Sequence, residues 1–261
     1  MVRDDAPGRL IKTADTVFDI LDMLREEGKA DLSTVAETQN LAKSTVHDHL
    51  ATLRSKDIVV KEGDEYRLSL KFLDYGIFVR EAFTPATIVD KSLEHLGETT
   101  DGFARFFVEE YNRAMCVGEY KGERGVYTSV REGEDFPLHC LAAGKVLLSY
   151  LPESHRERVL EEELEQFTDN TITDSDELRE ELVTIREREY ALSDSELIDG
   201  VRAVASPVQT NDRIYGSISI AGPTNWMHEE RFREELPAMV LETSNEVELK
   251  IEYGDEYRGG P

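Results

Sequence analysis

Hydrophobic positions in the first quarter of the chain recur at the spacing of amphipathic helices. They predict one helix over residues 9–27 and a second, shorter helix that opens at Asp31 and breaks at Gln39. A third helix follows over about residues 43–55, with Ser44 as its expected N-terminal cap. This third helix has apolar positions at spacings of four and three, namely Val46, Leu50 and Leu53. Its polar face is left free.

The pattern then changes to that of short strands. Residues 58–60 and 66–68 are typical of strands, and Gly63 lies in the turn between them. Three helices followed by a two-stranded hairpin form the element order of a winged helix-turn-helix, in which the third helix enters the major groove of DNA. The alternative is an ordinary three-helix bundle whose third helix has a solvated face.

Beyond residue 70 the elements predict a second domain of a different kind. Residues 70–83 have helical spacing and end before Pro85, which indicates a helix that joins two domains. Strands and helices are then mixed, which predicts an α+β domain with an antiparallel sheet flanked by helices. The expected helices cover residues 88–96, 142–151, 153–165, 176–189 and 229–252, and the expected strands cover 103–108, 115–120, 126–130, 201–208 and 214–220. The predicted domains are residues 1–72, a linker helix 73–84, a ligand-binding domain 85–254 and a flexible tail 255–261.

The total charge of the chain opposes DNA binding, but its distribution along the chain does not. The 261 residues carry 30 basic and 55 acidic side chains, a net charge of −25. Residues 1–72 hold 11 basic and 14 acidic side chains, so this segment carries −3 and the remainder −22. Residues 42–61 have more basic than acidic side chains, and this segment contains the helix that is expected to bind DNA. Acidic residues spread evenly over the rest resemble the surfaces of proteins from salt-accumulating halophiles.

Other features of the composition exclude several classes of protein. No apolar run approaches the roughly 20 residues of a membrane span, and the N-terminus lacks a signal peptide, so we expect a cytoplasmic protein with no membrane partner. Cys116 and Cys140 are the only cysteines, which indicates neither a disulfide framework nor a zinc site. We expect no metal and no cofactor.

The polar face of the third helix supplies the side chains that DNA recognition requires. Hydroxyls near its start can bond phosphate or base acceptors, and basic residues near its end can neutralise phosphates. Asp48 opposes phosphate binding, so it is expected to meet a base amino group, form a salt bridge or have no role. The candidate DNA-binding residues are Lys43, Ser44, Thr45, His47, Asp48, His49, Thr52, Arg54, Lys56 and, on the wing, Arg67.

Several motifs in this order resemble the IclR family of transcriptional regulators. The resemblance spans about residues 9–252, and it implies a GAF-like effector domain, homodimers that can pair into homotetramers, and pseudo-palindromic double-stranded operators. The motifs that carry it are Leu32-Ser-Thr-Val-Ala-Glu, Leu41-Ala-Lys-Ser-Thr-Val-His-Asp-His-Leu-Ala-Thr-Leu53, Tyr66-Arg-Leu, Gly133-Glu-Asp-Phe-Pro-Leu-His-Cys-Leu-Ala-Ala-Gly-Lys145, Gly200-Val-Arg-Ala-Val-Ala-Ser-Pro-Val208 and Gly216-Ser-Ile-Ser-Ile-Ala-Gly-Pro223.

A candidate ligand site follows from small residues at a helix start. Ala142-Ala143-Gly144-Lys145 would let the backbone amides of a helix N-terminus approach an anionic group, although small residues also pack helices onto sheets. The expected effector is a small molecule such as an organic acid or a sugar-derived metabolite. The resemblance assigns effector contacts to Gly125, Thr128, Ala142, Ala143, Ser193, Val201, Ala203 and Ser219, with Asp194 as an alternative polar group beside Ser193.

The pocket departs from its relatives in ways that weaken any transfer of ligand identity. Ser193 stands where some acid-sensing relatives have an acidic residue, Ala203 where some have a cysteine, and Ala221 where some have a second serine. These changes make the expected pocket less polar. Effector identity, operator sequence and the choice between repression and activation therefore stay open.

The remaining chemistry-bearing residues do not indicate catalysis. His139 and Cys140 are adjacent and, on an expected strand, would point to opposite faces with no orienting partner. The sequence around Lys145 lacks the first glycine and the Ser or Thr of a phosphate loop. We therefore predict a transcription regulator controlled by a metabolite. The rivals are an enzyme with an accessory DNA-binding-like domain and a protein-binding adaptor, which would lack a steep salt dependence of DNA affinity.

Overall fold

The structure is a computed structural model that describes residues 11–123, 130–211 and 213–253. Its contacts divide the chain between Ala82 and Phe83 into two units, each with its own hydrophobic core. Within the described ranges, no helix is both long and apolar enough to cross a membrane.

The N-terminal unit consists of short helices and a small antiparallel sheet. The sheet has the strand order β1-β3-β2. Its first strand has two residues and pairs Ala30 with Tyr66, a contact too short to leave a pattern in the sequence. In chain order the elements are α1 (Lys12–Glu27), β1 (Ala30–Asp31), α2 (Leu32–Thr38), α3 (Lys43–Ser55), β2 (Val59–Glu62), β3 (Glu65–Leu68) and α4 (Lys71–Phe83).

Local interactions set the boundaries of these elements. The Asp31 carboxylate accepts a hydrogen bond of 2.8 Å from the Thr34 amide and so caps α2. The N-cap of α3 is Ala42, whose backbone is extended and whose side chain makes no capping bond. The expectation that Ser44 caps α3 is therefore wrong, because the helix starts earlier and Ser44 lies inside its first turn. Gly63 takes a φ of +62° in the wing turn, a conformation that suits glycine.

The C-terminal unit is built on a six-stranded antiparallel sheet with the order β6-β5-β4-β9-β8-β7. The α+β class and the antiparallel sheet with flanking helices are thus confirmed. Its strands are β4 (Phe103–Glu110), β5 (Arg113–Lys121), β6 (Asp135–Pro137), β7 (Ala191–Asp194), β8 (Val201–Thr210) and β9 (Arg213–Pro223), and its helices are α5 (Ala86–Thr100), α6 (Ala142–Tyr150), α7 (Glu153–Glu161), α8 (Ser175–Arg188) and α9 (Leu236–Tyr253).

Helices cover both faces of this sheet. Helices α5 and α9 pack on one face, and α6 packs on the other with α8 beside it. Along β4, Ala104 and Phe106 join the core under α5 and α9, whereas Phe107 joins the core under α6. Because side chains alternate along a strand, Arg105 shares the α6 side. This alternation decides which β4 residues face α6.

The structure differs from the expected elements at several places. The edge strands β6 and β7 were missed, since three and four residues carry too little alternation to be recognised. Residues 138–140 form a 3-10 turn, so the expectation of a strand at His139 and Cys140 is wrong. A π-helical turn, Arg231–Glu235, precedes α9. Most of the strand expected at residues 126–130 lies outside the described residues.

Candidate functional site

Helix α3 presents a polar surface because its large apolar residues point inwards. Val46, Leu50 and Leu53 are buried in the core of the N-terminal unit. The predicted DNA-binding positions on α3 and just after it fall on the opposite side, where His49 is half-buried. The exposed positions are Lys43, Ser44, Thr45, His47, Asp48, Thr52, Arg54 and Lys56.

Side-chain contacts on this surface are few and local. The Lys43 ammonium lies 2.7 Å from the Ser33 hydroxyl on α2. The Asp48 carboxylate is 3.4 Å from the ring of His47, and the Thr52 hydroxyl donates to the Asp48 carbonyl at 2.8 Å. Asp48 thus has a partner on its own helix and a largely exposed carboxylate, as either a salt bridge or a contact with a base amino group would require.

Arg67 lies on the wing strand β3 and is engaged within the wing. Its guanidinium donates to one Glu62 carboxylate oxygen at 2.9 and 2.5 Å, and to the Leu68 carbonyl at 3.1 Å. The hydrogen bonds that Arg67 donates to Glu62 raise the pKa of Arg67 and lower the pKa of Glu62. A DNA phosphate would have to displace Glu62. Such an exchange costs little, since surface ion pairs are weak.

A cavity of about 50 Å³ lies between the sheet and the start of α6. One water needs roughly 10–15 Å³, so the cavity has room for a small molecule. Strand pairing explains its floor: Arg105 pairs with Ser219, Ala221 with Ala203, and Ala203 with Ser193. Its lining residues are Arg105, Phe107, Val130, Leu141, Ala142, Ala143, Ser193, Leu197, Ile198, Val201, Ala203, Ser219 and Ala221.

The roof of the cavity depends on a close approach between α6 and the 3-10 turn before it. A Cβ at Gly144 would overlap the carbonyl group of Leu138, so only glycine lets α6 start at this point. Ala142 and Ala143 then line the cavity from the first turn of α6, and the N-cap residue Leu141 contributes no side-chain capping bond. The first amides of a helix have no partner within the helix. A ligand oxygen can therefore be bound here.

The segment after β7 covers the cavity and is held by polar contacts. The Lys145 ammonium is 2.7 Å from the Glu196 carboxylate, and both side chains are buried. The hydroxyls of Thr168 and Thr171 donate at 2.6 Å to the carbonyls of Ser195 and Glu196, respectively. Leu197 and Ile198, which follow directly, line the cavity. The lysine of the Ala-Ala-Gly-Lys motif thus anchors the segment that carries part of the cavity wall.

The structure brings most of the predicted effector positions together. Six of them line the cavity: Ala142, Ala143, Ser193, Val201, Ala203 and Ser219. Gly125 and Thr128 lie outside the described residues. Asp194 does not line the cavity, because neighbouring residues on a strand face opposite ways. The Arg202 guanidinium donates to the two carboxylate oxygens of Asp194 at 3.0 and 2.7 Å, and this pairing lowers the pKa of Asp194.

Sequence reasoning missed the contribution of β4 and of the segment after β7. Arg105 and Phe107 from β4 line the cavity, as do Leu197 and Ile198. A signal for Arg105 was present: a charged residue at an inward position of the otherwise apolar run Phe-Ala-Arg-Phe-Phe. A strand of this composition is buried on both faces, so its one charge has to meet either a partner or a ligand.

His139 and Cys140 do not form a nucleophile and base. The Nε2 atom of His139 is 2.9 Å from the Glu165 carbonyl, and the Cys140 thiol is 3.2 Å from the Pro137 carbonyl. Burial lowers the pKa of His139 and raises the pKa of Cys140 to about 12. The thiol is therefore protonated at neutral pH and is not a nucleophile.

Known proteins resemble the chain over nearly its whole length. Residues 81–249 match the family described as "Bacterial transcriptional regulator IclR C-terminal", and residues 13–63 match "IclR helix-turn-helix domain". The chain is 30% identical over 252 residues to the "Probable HTH-type transcriptional regulator ArcR" of Halobacterium salinarum, an alignment that covers 94% of this chain and 95% of the relative.

Solved structures of IclR-type proteins are also similar to the chain. The crystal structure of the Thermotoga maritima IclR has a TM-score of 0.80 at 26% identity, covering 93% of this chain and 99% of that one. An IclR homolog from Microbacterium hydrocarbonoxydans, complexed with 4-hydroxybenzoate, has a TM-score of 0.80 at 16% identity, covering 92% of this chain and 99% of the other. The second likeness concerns the fold alone.

Proposed function

The chain belongs to the IclR family of transcriptional regulators, and from that premise we propose that α3 binds operator DNA under the control of a small molecule in the cavity beside α6. It is a helix-turn-helix regulator with a C-terminal effector domain, and its family is one of regulators rather than enzymes. The observation that carries the proposal is the cavity formed by the positions to which the family resemblance assigns effector contacts. The proposed domains are residues 1–72 for DNA binding, a linker helix 73–84 and residues 85–254 for effector binding.

The proposed division of labour on DNA follows from position along α3. Ser44, Thr45 and His47 lie in the N-terminal half of the helix, which is the part that reaches base edges in helix-turn-helix proteins. Basic residues at both ends and on the wing contact phosphates: Lys43, Arg54, Lys56 and Arg67. Exposure of Ser44, Thr45 and His47, and of these basic residues other than Arg67, which is half-buried, supports this assignment.

Helix α4 supports a homodimer as the DNA-binding species. No residue of α4 is buried, although the helix is rich in large apolar side chains. Leu73, Phe78 and Phe83 are 62, 67 and 60% exposed, respectively. Apolar surface of this extent on one helix is typical of a protein interface. A dimer with two recognition helices would match the two half-sites of a pseudo-palindromic operator.

Effector control requires that the molecule binds one arrangement of the dimer better than another. The proposed effector fills the cavity between α6 and the sheet and contacts the segment after β7. Such binding alters the packing of the effector domain and thereby the spacing of the two recognition helices. Operator affinity changes by the ratio of effector affinities for the two arrangements.

The proposal is tested by genome-wide DNA occupancy of the tagged protein at its native salt concentration. We expect discrete peaks for the wild type, and their loss both in Thr45→Ala/His47→Ala and in a variant lacking residues 1–72. The matched control is Thr184→Ala/His228→Ala, an exposed threonine and histidine on the effector domain, which should keep the peaks. Equal melting temperatures and masses of the purified double variants show that folding and assembly are unchanged.

The absence of wild-type peaks in every growth condition would contradict DNA-dependent regulation. Peaks that persist in Thr45→Ala/His47→Ala would refute the role of α3. The genes beside the peaks then nominate the metabolic route from which the effector comes.

A further inference from the structure

The polar face of α3 has an acidic side chain at its centre. Val46, Leu50 and Leu53 mark the buried side of the helix. Because an α-helix turns through about 100° per residue, Asp48 lies roughly 170° from the mean direction of those three residues. Its side chain is 85% exposed. Among the charged residues of α3, Asp48 therefore points most directly away from the core of the N-terminal unit.

The basic residues of α3 lie at the edge of the same face. Lys43 and Arg54 are roughly 50–75° from the buried direction, so they flank the polar face instead of forming its centre. The Lys43 ammonium also lies 2.7 Å from the Ser33 hydroxyl on the preceding helix. A helix in the major groove has its central line nearest to the base edges and its flanks nearest to the phosphates. Docking through this face thus places Asp48 opposite the bases.

The carboxylate of Asp48 lacks a strong partner within the protein. The ring of His47 lies 3.4 Å away, and an exposed pair of this kind contributes little. Thr52 and Ser55 lie along the same central line, and their hydroxyls donate at 2.8 and 2.7 Å to the backbone carbonyls of Asp48 and Thr52. An ionised carboxylate can only accept hydrogen bonds. In the groove it therefore requires a donor from the DNA to offset its repulsion by the phosphates.

The major groove offers such donors only as the amino groups of adenine and cytosine. The amino group of adenine lies between two acceptors, its own N7 atom and the O4 atom of the paired thymine, and both repel a carboxylate. The amino group of cytosine has an acceptor on one side alone, the O6 atom of the paired guanine. An acidic side chain consequently favours cytosine, whereas an amide side chain matches adenine.

We propose that Asp48 selects a C·G base pair in each operator half-site by accepting a hydrogen bond from the amino group of the cytosine. This inference rests on the proposed DNA-binding role of α3 and specifies one base pair that the helix recognises. The same carboxylate repels phosphates and so lowers the affinity for DNA of unrelated sequence. Asp48 thus increases selectivity at the expense of total affinity.

The test is selection from a random double-stranded DNA library by the full-length tagged protein in KCl, followed by sequencing. We expect a wild-type motif with a C·G pair at one position of each half-site, with a preference over the other pairs of about fivefold or more. Asp48→Asn should change that position to A·T, and Asp48→Ala should bind all four pairs there within about twofold of one another. The matched control is Glu26→Gln, which removes an exposed acidic group from α1 and should keep the wild-type motif.

Each result decides the matter. If Asp48→Asn and Asp48→Ala select the same bases as the wild type, the role of Asp48 fails while the sequence-specific regulator stands. A wild-type preference for any pair other than C·G at the position that these variants alter also overturns the inference. So does loss of all DNA binding by Asp48→Ala at an unchanged melting temperature, because removal of a charge that repels phosphates should not weaken binding to every sequence. If the wild type enriches no motif, the proposed function itself fails, and the inference fails with it.

Discussion

At the scale of single residues, the buried pair of Lys145 and Glu196 holds the segment that supplies part of the cavity wall. The Lys145 side chain is 1% exposed and that of Glu196 is 10% exposed, with 2.7 Å between ammonium nitrogen and carboxylate oxygen. Glu181 lies 3.9 Å from the same ammonium and also binds Arg188 at 2.9 Å. Burial raises the pKa of Glu196, and Lys145 opposes that effect. The charged pair is stable only while both partners are present.

We predict that Lys145→Met lowers the free energy of unfolding of the effector domain by about 3–5 kcal/mol, because it leaves the Glu196 carboxylate buried without its cation. The matched control is Lys145→Met/Glu196→Gln, which should lose much less, since no charge is left uncompensated. Urea unfolding at constant KCl measures the free energy of unfolding of both variants. A double variant as unstable as the single one would show that the lysine acts through packing alone.

The free energy of unfolding of Lys145→Met should depend on pH, and the direction of that dependence follows from Glu196. In Lys145→Met the folded-state pKa of Glu196 stays above its unfolded value, because burial disfavours the carboxylate. Stability is then gained as the pH falls towards the unfolded-state pKa, and lost as the pH rises through the folded-state pKa. The deficit relative to wild type should therefore be smaller at pH 5 than at pH 8.

At the scale of elements, the start of α6 depends on a glycine that is in contact with the preceding turn. A Cβ at Gly144 would meet backbone atoms of Leu138, which cannot move without displacing the 3-10 turn. Gly76 on α4 provides a matched contrast, because a Cβ there has no neighbour within 4 Å. The two glycines lie in helices but differ in what surrounds them.

Gly144→Ala should destabilise the effector domain by about 1–3 kcal/mol through overpacking. It should also weaken binding of the proposed effector, because the first turn of α6 moves away from the cavity. Gly76→Ala should instead stabilise α4 by about 0.5–1 kcal/mol, since alanine is the better helix former. Thermal unfolding of both variants measures the pair of effects. Destabilisation by Gly76→Ala would indicate that α4 meets a partner at that position.

At the scale of the whole molecule, the apolar surface of α4 and the net charge of −25 act against each other. Self-repulsion between acidic chains opposes assembly, and salt screens that repulsion. Burial of apolar side chains such as Phe78 favours assembly. We therefore expect the oligomer to be stable at high KCl and to weaken at low KCl.

Phe78→Glu should convert an assembly of at least twice the 29.7 kDa chain mass to the monomer, because it places a charge in the proposed apolar interface. Size-exclusion chromatography with light scattering at high KCl measures the mass. Val183→Glu is the control, since Val183 on α8 is 59% exposed and lies outside α4. A wild-type monomer, or an unchanged mass for Phe78→Glu, would contradict dimerisation through α4.

The sequence by itself determined the order of the longer helices and strands and the α+β class. Helices with regular apolar spacing were recognisable because burial of one face is a local periodic property, as in α3 with Val46, Leu50 and Leu53. The family motifs also pointed to six of the residues that line the cavity. Short edge strands such as β6 were not recognisable, since their pairing depends on neighbours distant in sequence.

Only the tertiary structure decided which side chains meet at the cavity. Ser193 and Asp194 are adjacent in sequence, yet only Ser193 lines the cavity, because strand alternation turns Asp194 towards Arg202. Arg105 joins the site because β4 pairs with β9, more than a hundred residues later in the chain. Lys145 likewise meets Glu196 although the two residues are 51 positions apart in sequence. Contacts between distant segments arise from the pairing of strands and the packing of helices, and a local pattern of apolar positions does not encode them.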